Sequence, residues 1–293
     1  MDSLDTQPSP VPSDRATKRP GRQPPTVDLR GAGLSYGPRV LWQGLDLEVR
    51  PGELLAVLGP NGSGKTSLLR VLLGRQQLSE GHVTVLGRRP AQNGRHIGYI
   101  PQHTVPPAHT MLRSRDLVRL GLDGHRWGIA LGRREKHRRV DELLAAVGAD
   151  AYSDTPVGIL SGGERQRVRI AQAFASEPRL LLCDEPLLSL DLHHQQIVAA
   201  LVDRRRRTHD TAVVFVTHEI NPILEVVDRV LYLAPFGFRV GTPDEVLTGP
   251  ALSELHGTRI DVIRARGRIV VVGVPDAAPS HDHAEEPPRG ALS

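Results

Sequence analysis

Residues 53–74 read ELLAVLGPNGSGKTSLLRVLLG, and the stretch changes character twice. Leu54–Leu58 is a continuous apolar run, the pattern of a strand covered on both faces. Gly59–Thr66 is a Gly-x-x-x-x-Gly-Lys-Thr loop. Leu68 and Leu69 then begin a helix that should stop at Gly74. Glycines let successive backbone N–H groups turn toward one point without a Cβ clash, which makes an anion-binding nest. The helix opening near Gly64 and Lys65 adds unsatisfied N–H groups and the positive end of its dipole. Lys65 can reach the β- and γ-phosphates of a nucleotide, and the Thr66 hydroxyl can sit on Mg²⁺. Gly-rich turns before helices are common; the strand in front and the Lys-Thr pair at this offset set this one apart. The expectation is a nucleoside triphosphate site, with Gly59, Pro60, Asn61, Gly62, Ser63, Gly64, Lys65, Thr66 and Ser67 around the phosphates.

Outward from this loop the pattern alternates strands and helices. Upstream, Leu45, Leu47 and Val49 alternate with polar residues, and Pro51-Gly52 turns the chain. Downstream, His82–Leu86 and Ile97–Ile100 read as short strands. From about residue 103 to 160 the character is helical, most clearly at Asp116–Leu120 and Val140–Val147. Leu180–Cys183, Ala212–Val216 and Val230–Leu233 are apolar runs suited to strands buried on both faces. That order implies an α/β fold with a mostly parallel core sheet and an inserted helical subdomain. There is one phosphate loop and no internal repeat.

With 293 residues, 39% of them hydrophobic, the chain can bury a substantial core, and 3% aromatics leaves that core to aliphatic side chains. A net charge of +4 permits contact with nucleic acid or an anionic membrane but demands neither. Cys183 is the 1 cysteine, which excludes an intramolecular disulfide and a Cys-based zinc site and fits a reducing, cytoplasmic setting. No stretch approaches the ~20 apolar residues of a membrane span. The N-terminus lacks the apolar segment of a signal peptide. Membrane association is therefore expected only through a partner. Residues 1–26, with six prolines from Pro8 to Pro25, and residues 275–293 are too polar to offset their ordering entropy and are expected to be disordered.

Two further stretches carry chemistry. Leu180-Leu181-Leu182-Cys183-Asp184-Glu185 is a buried strand ending in two acids, where parallel sheets bind ligands. Asp184 can hold Mg²⁺ there, and Glu185 can polarise an attacking water. Leu160-Ser161-Gly162-Gly163-Glu164-Arg165-Gln166-Arg167 opens another helix. Ser161 and Glu164 make an ordinary capping box. Yet two glycines in a first helical turn cost about 1 kcal/mol each against alanine. A compensating role is a second anion site at a bare helix start, completing the phosphate site of another protomer.

At this point the chain, over roughly residues 27–250, resembles the ATP-binding subunits of ABC transporters. LSGGERQR at 160–167 is similar to that family's signature motif almost letter for letter. The resemblance implies a P-loop ABC ATPase domain over 27–256, with an N-terminal antiparallel β subdomain and a helical subdomain near 103–160. It implies that Tyr36 stacks on adenine, and that Gln102 senses Mg²⁺ and the γ-phosphate and begins the loop facing the membrane partner. Asp191 belongs to the loop linking protomers, and His218 contacts the γ-phosphate. Mg²⁺ would be held by Thr66, Gln102 and Asp184. ATP would lie between the protomers of a homodimer, with Leu160, Ser161, Gly162, Gly163 and Glu164 acting in trans and Glu185 and His218 as the catalytic pair. Leu187 and Leu188 depart from the polar residues many members carry there, but no catalytic group is lost.

The implied partners are integral membrane permease subunits and, indirectly, an extracytoplasmic substrate-binding protein, with no nucleic acid. The implied location is the cytoplasm, peripheral on the inner face of the membrane. The Gly241-Thr242-Pro243 turn and DEPLLSLDLHHQQ look like ATPases of zinc or manganese importers. ATPases for iron-chelate or cobalamin uptake, and soluble ABC ATPases of iron–sulfur assembly, are the alternatives. A nucleic-acid-associated ABC protein ranks last, since the stretch from Thr66 to Leu160 is too short for a coiled coil.

Other features have plainer readings. The adjacent His193 and His194 point in different directions on a helix, unlike a metal-binding pair at four-residue spacing; His281 and His283 fall in a polar tail. Arg204–Arg207 reads as a solvated helix face. Arg133–Arg139 falls in the subdomain that, by the resemblance, meets the membrane subunits. Residues 257–274 suggest an appended β-hairpin that closes a sheet edge.

Overall fold

The structure is a computed structural model that describes residues 23–102, 110–123 and 132–273. Three strands, β1 (Val27–Tyr36), β2 (Arg39–Val49) and, further along, β4 (Glu80–Val85), form an antiparallel sheet in the order β2-β1-β4. Between β2 and β4 lie β3 (Leu54–Leu58) and α1 (Lys65–Leu72), flanking the phosphate loop. β5 (Ile97–Ile100) then leads into a helical region of α2 (Ser114–Asp123), α3 (Arg133–Ala146) and α4 (Gly162–Ala175). The chain returns through β6 (Leu180–Asp184), α5 (Leu192–His209), β7 (Ala212–Val216), β8 (Arg229–Ala234) and β9 (Gly237–Gly241). Two short helices, α6 (Pro243–Val246) and α7 (Gly249–His256), precede the hairpin β10 (Asp261–Ala265) and β11 (Arg268–Val272).

The core sheet has the order β5-β6-β7-β3-β8-β9, parallel throughout except for the antiparallel β8–β9 pair. Every residue of β3, β6 and β7 is buried, as their unbroken apolar runs require. Successive side chains of a strand point to opposite faces. Leu54, Ala56 and Leu58 accordingly join the side that holds α2–α5, whereas Leu55 and Val57 join the side of α1 and the antiparallel sheet. One sheet thus separates two apolar layers. Phe215 is among the largest fully buried side chains, and aliphatic residues fill most of the rest.

Some details differ from the sequence reading. Strand β4 stops at Val85, and Leu86 enters the turn with φ 52°. Most of the tail expected at 1–26, and residues 275–293 with His281 and His283, lie outside the described residues. Thr26, however, is buried, and its N–H donates to the Val49 carbonyl at 2.7 Å. The folded part therefore includes Thr26, because that bond extends the β1–β2 ladder by one rung.

Arg204–Arg207 is not a solvated face. Arg205 and Arg206 are buried, and the Arg205 guanidinium lies 5.6 Å from the Phe174 ring centroid. Arg206 donates to Asp203 at 2.7 Å, Asp228 at 2.9 Å and the Gly52 and Val226 carbonyls at 2.8 and 2.9 Å. It ties α5 to the turns that precede β3 and β8. A planar five-donor fork can satisfy several acceptors at once, which a charge run read from sequence does not disclose.

Candidate functional site: a phosphate loop at adjoining strand ends

Four neighbouring strands, β5, β6, β7 and β3, present their carboxyl ends side by side. Gln102 follows β5, Asp184 and Glu185 end β6, His218 follows β7, and Gly59 follows β3. The sheet order thus gathers residues that are far apart in sequence, at the place where open α/β sheets bind ligands.

The loop is built on tight contacts. Gly59 has φ 139°, and a Cβ there would lie 2.0 Å from the Leu233 carbonyl oxygen, so only glycine fits. The Lys65 ammonium is nearly buried and donates to the Gly59 and Pro60 carbonyls at 2.7 and 2.9 Å. Burial pulls its pKa down, and the Glu185 and Asp184 charges oppose that shift. Arg39, on β2, donates to the Gly62 carbonyl at 3.0 Å and steadies the loop from outside.

Asp184 is buried, and each carboxylate oxygen has one partner. Thr66 Oγ1 donates to Oδ1 at 3.1 Å, and the Tyr99 hydroxyl donates to Oδ2 at 3.3 Å. Burial raises the Asp184 pKa, while these two hydrogen bonds work against the rise. A hydroxyl and a buried carboxylate at hydrogen-bond distance are hard oxygen donors of the kind Mg²⁺ takes, and Gln102 at the neighbouring strand end supplies an amide oxygen. The residues present fit the ion.

Glu185 has φ 49°, uncommon for a residue with a side chain, and its N–H is fixed to the Val216 carbonyl at 3.0 Å. That backbone turn carries the carboxylate to His218, whose Nδ1 lies 2.7 Å from Glu185 Oε2. The imidazole is half-exposed and the carboxylate largely covered. An observed strained residue at a strand end is a feature of functional sites.

Two open clefts meet over these groups. The larger, about 790 Å³, is lined on one side by Gly59, Pro60, Asn61, Gln102, Glu185 and His218. The smaller, about 480 Å³, is lined by Tyr36, Arg39, Lys65, Thr66, Ser67 and others, and shares Asn61, Gln102 and Glu185 with the first. The Tyr36 hydroxyl sits 3.3 Å from Ser67 Oγ at the smaller cleft's rim.

The stretch Leu160–Glu164 lines neither cleft. Ser161 caps α4: Glu164 N–H donates to Ser161 Oγ at 3.3 Å, and Ser161 N–H donates to Glu164 Oε2 at 2.9 Å. Gly163, though not Gly162, has a cause inside the chain that the sequence did not reveal. A Cβ at Gly163 would stand 2.2 Å from the His194 ring. His194 is in turn fixed by Asp191, which caps α5 through the His194 N–H at 2.9 Å and meets its Nδ1 at 2.7 Å. Asp191 and the Ser161–Gly163 turn are thereby joined through one imidazole, and none of them lines either cleft.

Sequence reading missed Tyr99 and Arg39. Both touch the site through side chains placed by sheet pairing and by the β1–β2 turn, and neither belongs to a motif with fixed spacing. Leu187 is buried and so absorbed by packing, whereas Leu188 lines the larger cleft.

A phosphate loop, a Mg²⁺-compatible Thr–Asp pair and a Glu–His pair on one parallel sheet define a P-loop nucleotide hydrolase. Residues 42–188 match the family model described as "ABC transporter", and this chain belongs to that family. It is 35% identical to a sulfate/thiosulfate import ATP-binding protein of Nocardia farcinica, over 83% of this chain and 73% of the relative. It is 33% identical to the zinc import ATP-binding protein of Pseudomonas putida, over 79% of this chain and 83% of that one. Among solved structures, an inward-facing transporter described as of the metal-chelate type superposes with a TM-score of 0.72 at 28% identity, covering 84% of this chain and 96% of the other. A dimeric ATP-binding cassette in a post-hydrolysis state, bound to ADP and phosphate, gives 0.64 at 26% identity, covering 74% and 98%. The chain binds ATP and is an ATPase. Among the described residues no helix is long and apolar enough to cross a membrane.

Proposed function

We propose that this chain is the ATP-hydrolysing subunit of a membrane importer and works as a homodimer whose two sites are shared between protomers. The carrying observation is that Leu160–Glu164 lies outside both clefts of its own chain while Lys65, Thr66, Gln102, Glu185 and His218 line them. The dimeric cassette relative supports this reading. In it, Gly59–Ser67 cradles the phosphates and Tyr36 stacks on the base. Lys65 exchanges its bonds to the loop carbonyls for the β- and γ-phosphate oxygens. Thr66, Asp184 and Gln102 would hold Mg²⁺, which when bound neutralises developing phosphate charge. The Ser161 hydroxyl and the Gly163 N–H of the second copy cap the γ-phosphate, while the Ser161 N–H stays with Glu164. Glu185 orients the water and accepts its proton, and His218, already hydrogen-bonded to Glu185, steers that carboxylate and contacts the γ-phosphate. Phosphoryl transfer depends mainly on positioning and charge stabilisation, so closing the dimer completes the catalyst and turns ATP binding into movement.

The cargo we favour is a metal ion, zinc or manganese. The zinc-import relative and the metal-chelate type transporter support it. Cargo crosses through partner permeases, with delivery by an extracytoplasmic binding protein, and this subunit sits on the inner face of the membrane. The sulfate-import relatives support a second reading, import of an inorganic oxyanion. Growth of a deletion strain separates them. The metal reading expects poor growth under zinc or manganese chelation, rescued by excess metal. Normal growth there, with loss of growth on sulfate as sole sulfur source or loss of ferric-chelate or cobalamin uptake, contradicts it.

A further inference from the structure

Asn221 stands three residues beyond His218, and its side-chain amide is fully used. Nδ2 donates to the Ile269 carbonyl at 2.9 Å, and Oδ1 accepts the Ile269 N–H at 2.8 Å. The amide takes the place a further strand would have beside β11, pairing both backbone groups of one residue. Only Glu219 and Ile220 separate this clamp from the imidazole. Neither is slack: Ile220 is buried, and Glu219 closes a turn with Thr217 through bonds of 2.9 and 3.2 Å.

The other end of the clamp is equally fixed. Ile269 and Ile260 are buried against the core. Arg264 on β10 donates to Asp244 at 2.6 Å, and Ile260 N–H donates to Ser253 Oγ at 2.9 Å, which pins the hairpin to α6 and α7. Ile269 and Val271 then form part of the wall of the larger cleft that also holds Glu185 and His218. The hairpin is a two-stranded sheet of its own and, contrary to the expectation from sequence, pairs with neither edge of the core sheet; it walls the cleft instead.

We propose that Asn221 is a positioning residue for hydrolysis: it locks the β10–β11 hairpin to the His218 loop and so holds the imidazole at Glu185. This rests on the role given to His218 above. A 1 Å misplacement at a reacting centre can cost far more in turnover than in binding. The coupling should also run both ways, since a link between two segments is reciprocal.

The test uses the full chain with ATP and Mg²⁺, comparing wild type, Asn221→Ala, Asn221→Asp and His218→Ala. Asn221→Ala should lower kcat roughly 10-fold with the KM for ATP changed less than about twofold. Asn221→Asp keeps the acceptor for the Ile269 N–H but sets a carboxylate oxygen against the Ile269 carbonyl, so its kcat should fall at least as far. Hydrogen exchange should quicken together in 217–220 and 268–272 of Asn221→Ala, leaving the protection of β3 and β6 unchanged. A wild-type kcat in Asn221→Ala, or a loss confined to KM, overturns the clamp. If His218→Ala is slow while both Asn221 variants run at the wild-type rate, the clamp alone fails. If His218→Ala itself turns over normally, the reading of the site fails and the clamp with it.

Discussion

The base we propose, Glu185, leaves the strand in a left-handed backbone conformation that delivers its carboxylate to His218. Asp184, one residue earlier, stays inside the sheet and is held by Thr66 and Tyr99. Two adjacent acids thereby have separate surroundings, which the proposed mechanism uses for separate tasks: Asp184 toward the cation, Glu185 toward water. Glu185→Gln preserves size and hydrogen bonding but removes the base. Hydrolysis should fall roughly 10²–10⁴-fold. ATP affinity should persist, and an ATP-bound dimer should accumulate on a sizing column. Near-normal turnover would remove Glu185 from the role.

At the scale of elements, α4 starts on a reciprocal cap that also fixes the turn we propose is offered to a second copy. Glu164 is held below the usual glutamate range, first by the Ser161 backbone N–H and then by the Ser161 hydroxyl. Because the folded value is depressed, its stabilisation is present above the ordinary value of about 4.3 and is lost as pH falls through the folded value. Glu164→Gln keeps an acceptor for the Ser161 N–H but no charge. Thermal melts between pH 3 and 7 should show wild type above the variant at neutral pH, with the gap closing toward the acid end. A gap independent of pH would mean the carboxylate charge is irrelevant to the cap. The core strands were legible in sequence because an unbroken apolar run of five residues suits a strand covered on both faces. The helix after the phosphate loop was legible because Gly-Lys-Thr at that offset belongs at a helix start. Arg206 was not legible: a run of arginines looks the same whether solvated or wired to Asp203, Asp228 and two carbonyls. Nor was Gly163, whose reason is the ring of His194, a contact between two helices that no local pattern encodes.

For the whole molecule, the sheet order gathers Gln102, Asp184, Glu185, His218 and the phosphate loop onto one edge. The same topology leaves the Ser161 turn, with Asp191 beside it through His194, outside the clefts. A single protomer would then own the base, the phosphate cradle and the cation ligands but lack one set of γ-phosphate donors. Motif order in the sequence made the parts legible; which of them share a cleft needed the crossings between β5, β6, β7 and β3.

The most direct measurement is complementation between two inactive variants. Lys65→Ala spoils the phosphate cradle and leaves the Ser161 turn intact; Ser161→Arg does the reverse and should still bind ATP as a monomer. Each alone should be without turnover. Mixed in equal amounts, half the dimers combine the two, and each of those has one competent site of two. ATPase activity should return to about a quarter of the wild-type rate if one site suffices. No activity in a mixture shown to contain mixed dimers, or loss of ATP affinity in monomeric Ser161→Arg, would contradict a site shared between protomers.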